Sequence, residues 1–183
     1  TSLLRYGLKD RKWDEFYFRI NGEDIPMIGA NAICSHNGEL LIGSSQGVWV
    51  FNPEKENCIS RKYTGYEEIV HDVAVDSRGR IWIGGNGLFI CQGDSTIAAH
   101  QTIPALNWQL TANSSFSCFS IREDEIWMAS QGNGIIVIDG NGYRNYTNKG
   151  SGLWSARVTF NPHEGEHFFG MGHSWDNELD LKG

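Results

Sequence analysis

Val70-His71-Asp72-Val73-Ala74-Val75-Asp76-Ser77-Arg78-Gly79-Arg80-Ile81-Trp82-Ile83-Gly84 is the stretch that decides the fold. Its first six residues alternate apolar with other side chains, as a half-buried strand does, because successive strand residues point to opposite faces. Asp76-Ser77-Arg78-Gly79 is turn chemistry: Asp can bond its own backbone, and Gly tolerates positive φ. Arg80-Ile81-Trp82-Ile83 returns as a strand rich in β-branched and aromatic residues. Asn86-Gly87 makes a second turn, and Leu88-Phe89-Ile90-Cys91 a third strand closed by Gln92-Gly93-Asp94. Two hairpins in succession form an antiparallel meander.

The core of this unit recurs. Leu40-Leu41-Ile42-Gly43, Ile81-Trp82-Ile83-Gly84, Ile126-Trp127-Met128-Ala129 and His167-Phe168-Phe169-Gly170 end 41, 45 and 41 residues apart. A period of about 40–45 residues built of strands is the mark of a β-propeller. Each copy keeps the same order of strand, turn, strand, turn. The first has the turn His36-Asn37-Gly38, then Gln46-Gly47 before Val48-Trp49-Val50-Phe51. The third has Arg122-Glu123-Asp124, then Asn133-Gly134 before Ile135-Ile136-Val137-Ile138. The fold class expected is all-β: a propeller of about four blade units, each a four-stranded antiparallel meander. The units are residues 30–63, 69–100, 115–146 and 153–183, the last joined by 12–20, in a single propeller domain or fragment over 1–183.

The fourth repeat has a third strand, Glu178-Leu179-Asp180-Leu181, and no fourth. Residues 12–20 read as an outer strand with no blade before it, and residues 1–29 look like the tail of a preceding unit. Two arrangements stay open. Either the N-terminal strand completes the last blade and shuts a ring, or the chain is an arc of a larger propeller. Two such arcs would pair into an eight-bladed ring, at the upper end of the roughly four to eight blades that closed propellers use.

Val73-Ala74-Val75-Asp76-Ser77-Arg78-Gly79-Arg80-Ile81-Trp82-Ile83-Gly84 resembles the two-component regulator propeller repeat, which runs apolar-x-x-Asp-x-x-Gly-x-apolar-Trp-apolar-Gly. Tyr146-Thr147-Asn148-Lys149-Gly150-Ser151-Gly152-Leu153 is similar to that family's link between blades. The resemblance extends from Ala30 onward, with departures: Leu41 stands where Trp is usual, Ser35 where Asp is usual, and Ala129 in place of Gly. The resemblance implies an extracytoplasmic sensor part of a hybrid histidine kinase, many of which sense glycan fragments in gut bacteria. It implies a periplasmic or extracellular location; the composition is compatible with a cytoplasmic one as well. Propellers of the family usually have more than four blades and adjoin kinase domains, so a fragment or a stand-alone relative is expected.

At 183 residues with 40% hydrophobic and 12% aromatic content, the chain is long and apolar enough for one domain with a substantial core, which argues against disorder. No stretch has the apolar length to span a membrane, and no leader peptide is visible. Net charge is −7, with only Lys9-Asp10-Arg11-Lys12 locally basic; nucleic-acid binding would want a basic stripe, so no nucleic-acid partner is expected. Cys34, Cys58, Cys91 and Cys118 form no Cys-x-x-Cys pair, and three of them fall on strands as small buried hydrophobes.

His163-Glu164-Gly165-Glu166-His167 fits the zinc-protease pattern His-Glu-x-x-His. That chemistry needs a helix to bring both imidazoles to one metal, whereas here Pro162 precedes the motif, Gly165 interrupts it, and the repeats align it with a strand–turn–strand. No nucleophile motif or phosphate-binding loop stands out, so neither catalysis, cofactor nor metal is expected. Trp82 and Trp127, with Leu41 and Phe168 in the same slot, read as packing between blades.

In a propeller the first strand of each blade lines the central channel. The loops leading into it share one rim with the loops joining strands two and three. That rim would carry Asn31, His71, Asp72, Ser117 and Arg157, together with Gln46, Asn86, Gln131 and the longer loop 171–177 bearing His173, Trp175 and Asp176. Asn31, His71, Asp72, Arg157, His173, Trp175 and Asp176 are the candidate ligand-binding residues. An aromatic among polar groups on a rim suits a small molecule or glycan, although Trp175 also fits burial against a neighbouring blade. The function expected is non-catalytic ligand sensing in two-component-type signalling. The alternative is a protein-interaction scaffold pairing through open blade edges, as a homodimer or with adjoining domains.

Overall fold

The computed structural model describes residues 2–20, 23–24, 29–53, 59–63, 66, 68–103, 106, 115–131, 134–139, 142–146, 155–161, 163 and 165–171. Strands β1 (Ser2–Tyr6) and β2 (Trp13–Tyr17) form a hairpin, and β3 (Arg19–Ile20) with β4 (Glu23–Asp24) a very short one. Blade I is β5 (Ala30–His36), β6 (Glu39–Ser44), β7 (Gly47–Phe51) and β8 (Ile59–Lys62). Blade II is β9 (Val70–Val75), β10 (Ile81–Gly85), β11 (Gly87–Gln92) and β12 (Ser95–Ala98), followed by one helical turn, α1 (Ala99–Thr102). Blade III is β13 (Ser115–Arg122), β14 (Glu125–Gln131), β15 (Gly134–Asp139) and β16 (Gly142–Tyr146). β17 (Ser155–Asn161) and β18 (Glu166–Met171) pair beyond it. In each blade every strand bonds antiparallel to the next in sequence, the meander of a propeller blade.

The period-2 alternation of these strands decides the packing. Leu41, Val48 and Val50 of blade I meet Val73, Ile81 and Ile83 of blade II, with Tyr63, Tyr66 and Val70 filling the layer. One residue along, Trp82, Leu88 and Ile90 leave the opposite face of blade II and meet Phe116, Phe119, Ile126, Met128 and Ile136 of blade III. Ile42, Trp49 and Phe51 on the far face of blade I meet Phe16 and Phe18. Blade II is thus apolar on both faces and buried on both, at roughly 1.5–3 kcal/mol per large side chain removed from water. Trp82 and Leu41 are fully buried in the inter-blade slots expected of them. Trp127 is half-buried and stacks parallel on Tyr146 at 6.2 Å; the side chain of Phe168 lies outside the described residues.

Close approach of the layers requires glycine at the end of the second strand. A Cβ on Gly84 would stand 2.9 Å from the Phe119 ring and 3.0 Å from the Phe116 carbonyl. Gly85 is tighter still, against the Tyr66 hydroxyl and the Ile69 carbonyl.

The turn between β9 and β10 is built on one carboxylate. Asp76 Oδ1 accepts the backbone N–H groups of Arg78 (3.0 Å) and Arg80 (2.8 Å), and Gly79 takes φ +76° to close the loop. Its Oδ2 accepts Arg80 Nε (2.6 Å) and the indole N–H of Trp82 (2.9 Å), while the Arg80 guanidinium lies over the Trp82 ring. A buried indole needs an acceptor for its N–H, and Asp76 provides it. Blade III, which lacks the glycine, puts Glu123 at φ +51° and uses Glu125 to accept the Trp127 N–H at 3.1 Å.

The N-terminal segment differs from expectation. The outer strand anticipated over 12–20 ends at Tyr17, because Phe18 turns into the core under blade I. That strand pairs with β1, which the repeat alignment had not resolved, and among the described residues it makes no sheet with the end of the chain. Residues 178–181 lie outside the described residues. The helical turn α1 is also new: it seats Ala99 in the layer between blades II and III. The His-Glu-x-x-His segment lies in the β17–β18 hairpin, with Asn161 opposite Glu166, Phe160 opposite His167, and Gly165 at φ +70°.

Burial alone would raise the Asp76 pKa, but its N–H donors from Trp82 and Arg80 and the Arg80 charge outweigh that and hold it below the ordinary carboxylate value. A depressed folded pKa stabilises the fold above the unfolded value, and that contribution fades as pH falls through the folded one. Asp76→Ala is therefore expected to cost roughly 2–3 kcal/mol at neutral pH by urea denaturation, since it orphans buried donors. The gap from the parent protein should narrow in acid. Equal stability of the two proteins at neutral pH would contradict this role.

Candidate functional site: the bulged rim

The first strand of every blade contains an extra residue at the same place. Ala30 stands opposite Ser44 and Ala32 opposite Gly43, so Asn31 is bulged out of register. In β9, Val70 faces Gly85 and Asp72 faces Gly84, leaving His71. In β13, Phe116 faces Ser130 and Cys118 faces Ala129, leaving Ser117; in β17, Ser155 faces Met171 and Arg157 faces Gly170, leaving Ala156. Bulges bend a strand and re-aim its side chains. β5 lies beside β9, β9 beside β13, and β13 beside β17, so the bulged residues form one row along the rim where strands two and three also turn.

Neighbouring blades are tied together at this rim. Asn31 Nδ2 donates to the Val70 carbonyl of blade II at 2.8 Å. Asp72 accepts its neighbour Val73 N–H at 2.9 Å and, across the blade boundary, Phe119 N–H of blade III at 2.7 Å. Ser117 Oγ donates to the Ala129 carbonyl at 3.3 Å. His71 is half-buried. Arg157 is in β17, paired opposite Gly170. The structure thus brings Asn31, His71, Asp72 and Ser117 onto one rim; His173, Trp175 and Asp176 lie outside the described residues.

The loops joining strands two and three add a second tier. Asn86 N–H donates to the Tyr66 hydroxyl at 3.0 Å, and that hydroxyl donates to the Ile69 carbonyl at 3.1 Å. Burial pushes the Tyr66 phenol above its ordinary pKa, so it stays a donor. Asn86 Nδ2 reaches Glu68 Oε2 at 3.4 Å, and Asn86 also bridges to Ser115 of blade III. In blade I the Gln46 N–H donates to Ser44 Oγ, which itself donates to the Gly47 carbonyl. The side chain of Gln131 lies outside the described residues.

Amide, imidazole, carboxylate and hydroxyl groups alternate along the rim, a set suited to hydrogen-bonding a polar ligand. Among the described residues no group of three His, Cys, Asp or Glu side chains could hold a metal ion. Cys34, Cys91 and Cys118 are half-buried thiols, and burial pushes the Cys34 thiol above its ordinary pKa; Cys58 lies outside the described residues. A cavity of about 220 Å³ opens at the opposite end, between blades II and III, beside Asp76, Arg80, Thr102 and Asp124. There Ser77 Oγ donates to Asp124 at 2.7 Å, and Asp76 is consumed by the turn.

Bulges were not legible in the sequence, since an extra residue in a strand only shifts the alternation by one. The Asp76–Trp82 cap had a readable signal: a carboxylate facing an indole across a tight turn on the same sheet face.

Residues 67–87 match the family described as Two component regulator propeller, so the chain carries that repeat. No curated protein is similar in sequence. Among solved structures, the chain is similar to the extracellular domain of BT4673 from B. thetaiotaomicron, described as a hybrid two component system. The match has 14% identity and TM-score 0.55, covering 93% of this chain and 30% of that one. It is similar to YCF48 bound to D1 peptide, with 18% identity and TM-score 0.51, covering 74% of this chain and 43% of that one. It is also similar to the computationally designed Ika4 protein, with 10% identity and TM-score 0.55, covering 85% of this chain and 96% of that one. At these identities the likeness establishes the propeller fold. The chain spans less than half the length of YCF48 and under a third of the BT4673 domain.

The clamps and the row separate by substitution. Asp72→Ala is expected to cost about 1–3 kcal/mol by leaving the Phe119 N–H unpaired, whereas His71→Ala should stay within about 0.5 kcal/mol. Urea denaturation measures both. An Asp72→Ala protein as stable as the parent would remove Asp72 from its role as clamp.

Proposed function

We propose that this chain is a non-catalytic sensory propeller unit of a two-component-type signalling protein. In this reading it works outside the cytoplasm and recognises a small polar ligand such as a glycan fragment. The observation that carries the reading is the bulged row of Asn31, His71 and Ser117, repeated in successive blades at one rim. Repetition turns one polar position per blade into a multidentate surface, and a propeller holds such a surface rigid, which reduces the ordering cost of binding. The two-component regulator propeller match and the likeness to an extracellular domain of BT4673 support the signalling context. The donor set supports hydroxyl-rich ligands, whose groups both donate and accept.

Titration calorimetry against a panel of neutral and acidic oligosaccharides tests this. At least one probe is expected to bind, and His71→Ala, which should spare the fold, is expected to weaken it about tenfold, the loss of roughly one hydrogen bond. Binding that ignores His71→Ala and Asn31→Ala would move the site off this rim. Heat-silent titrations with the whole panel, confirmed by unchanged melting temperatures, would contradict glycan sensing.

A further inference from the structure

The cavity of about 220 Å³ between blades II and III lies at the end of the blades away from the bulged rim. One wall is the turn from Asp76 to Arg80. The other is Asp124 with the end of β15, and the end of α1 lines a third side through Thr102 and Ile103. A water takes roughly 30 Å³ of liquid volume, so the space is that of about seven waters, the scale of a small molecule.

The two walls carry opposite charge. On the blade II side both oxygens of Asp76 are used within its own turn, and two guanidiniums stand against that one carboxylate. Arg80 is fixed there, bonded to Asp76 through Nε at 2.6 Å with its guanidinium 5.2 Å above the Trp82 ring. Nε is one of five donors on a guanidinium, so the outer N–H groups of Arg80 stay available. Arg78 gives its backbone N–H to the turn, and its guanidinium has no ion pair among the described residues. On the blade III side Arg144 is shared between Glu125 and Asp139, each at 3.1 Å, while Asp124 accepts the uncharged Ser77 hydroxyl. Three carboxylates there outnumber one guanidinium.

Among the described residues no ion pair joins Arg78 or Arg80 to Asp124, so charges of opposite sign line one cavity without meeting. Ile103 and Ile138 belong to the apolar layer between the blades and give the cavity an apolar side. A bare cation there would meet the arginines, and a bare anion the aspartates. A ligand that carries both charges answers both walls.

We propose that this cavity binds a free α-amino acid with an aliphatic side chain. Its carboxylate pairs with Arg78 and Arg80, since guanidinium donors match a carboxylate. Its ammonium pairs with Asp124 and Asp139, and its side chain lies on Ile103 and Ile138. The site joins turns of two blades. It is independent of the sensing role of the bulged rim, which lies at the other end and uses other residues.

NMR titration of the isotope-labelled full chain with L-valine and with L-leucine tests it. At least one is expected to give saturable shifts at the Trp82 indole N–H, which is bonded to Asp76 in the wall, and at Thr102 and Ile103, with half-saturation at about 1 mM. Arg78→Gln and Asp124→Asn, both at exposed positions, are each expected to weaken binding at least tenfold with unchanged circular dichroism. Isovalerate, which lacks the ammonium, and L-valinamide, which lacks the carboxylate, are expected to bind at least tenfold more weakly than L-valine. Absence of saturable shifts up to about 50 mM of either amino acid overturns the proposal. Equal binding of L-valine and either half-ligand overturns it too, as does binding that ignores both substitutions or shifts only the rim from Asn31 to Ser117.

Discussion

The two-residue period of the β-strand is the constraint on which the whole structure rests. Each blade is a single sheet thick, so its strands must be apolar on both faces, and alternate residues must serve two different neighbours. Ile81 and Ile83 close one layer against blade I while Trp82 closes the next against blade III. A slip of one residue in register would exchange these sets and spoil both layers at once. Close packing then dictates the small residues: Gly43 and Gly84 sit where Val70 of the next blade, or Phe116 and Phe119, press against the backbone.

Among the described residues, the side-chain hydrogen bonds that tie the blades together cluster at the two ends, where the layers stop. At one end tight turns need carboxylates, and Asp76 unites the turn, the Arg80 guanidinium and the buried indole in one cluster. At the other, the first strands start with a bulge, and side chains cross from blade to blade: Asn31 to Val70, Asp72 to Phe119. These cross-links hold the inner strands in step. The rim is therefore rigid for the same reason that it is polar. Asn31 and Asp72 contribute to both, since each belongs to the candidate site and to its scaffold.

Much of this fold was legible because each repeat states it independently. The pattern around Trp82 showed strand, turn and strand, and its recurrence at 41 to 45 residues showed the architecture. Legibility failed where local pattern and tertiary context part. Ser2-Leu3-Leu4-Arg5-Tyr6 is a strand, but nothing in its few residues tells a strand from a loose terminus until Phe16 is seen pairing with Leu3 over Ile42 and Trp49. The bulges at Asn31, His71 and Ser117 were invisible, because an extra residue is defined only by what stands opposite. The rim positions themselves were readable from repeat alignment, but their hydrogen-bond partners were not, since those come from a different blade some 39 to 47 residues away.

Amide hydrogen exchange read residue by residue tests the layered account most directly. Stability in such a stack should peak where a strand is bonded on both edges and buried on both faces. The account predicts slowest exchange in β6, β10 and β14, intermediate rates in β11, and fast exchange along the outer strands β12 and β16. Uniformly rapid exchange, or protection that peaks in the outer strands while β10 opens freely, would contradict it.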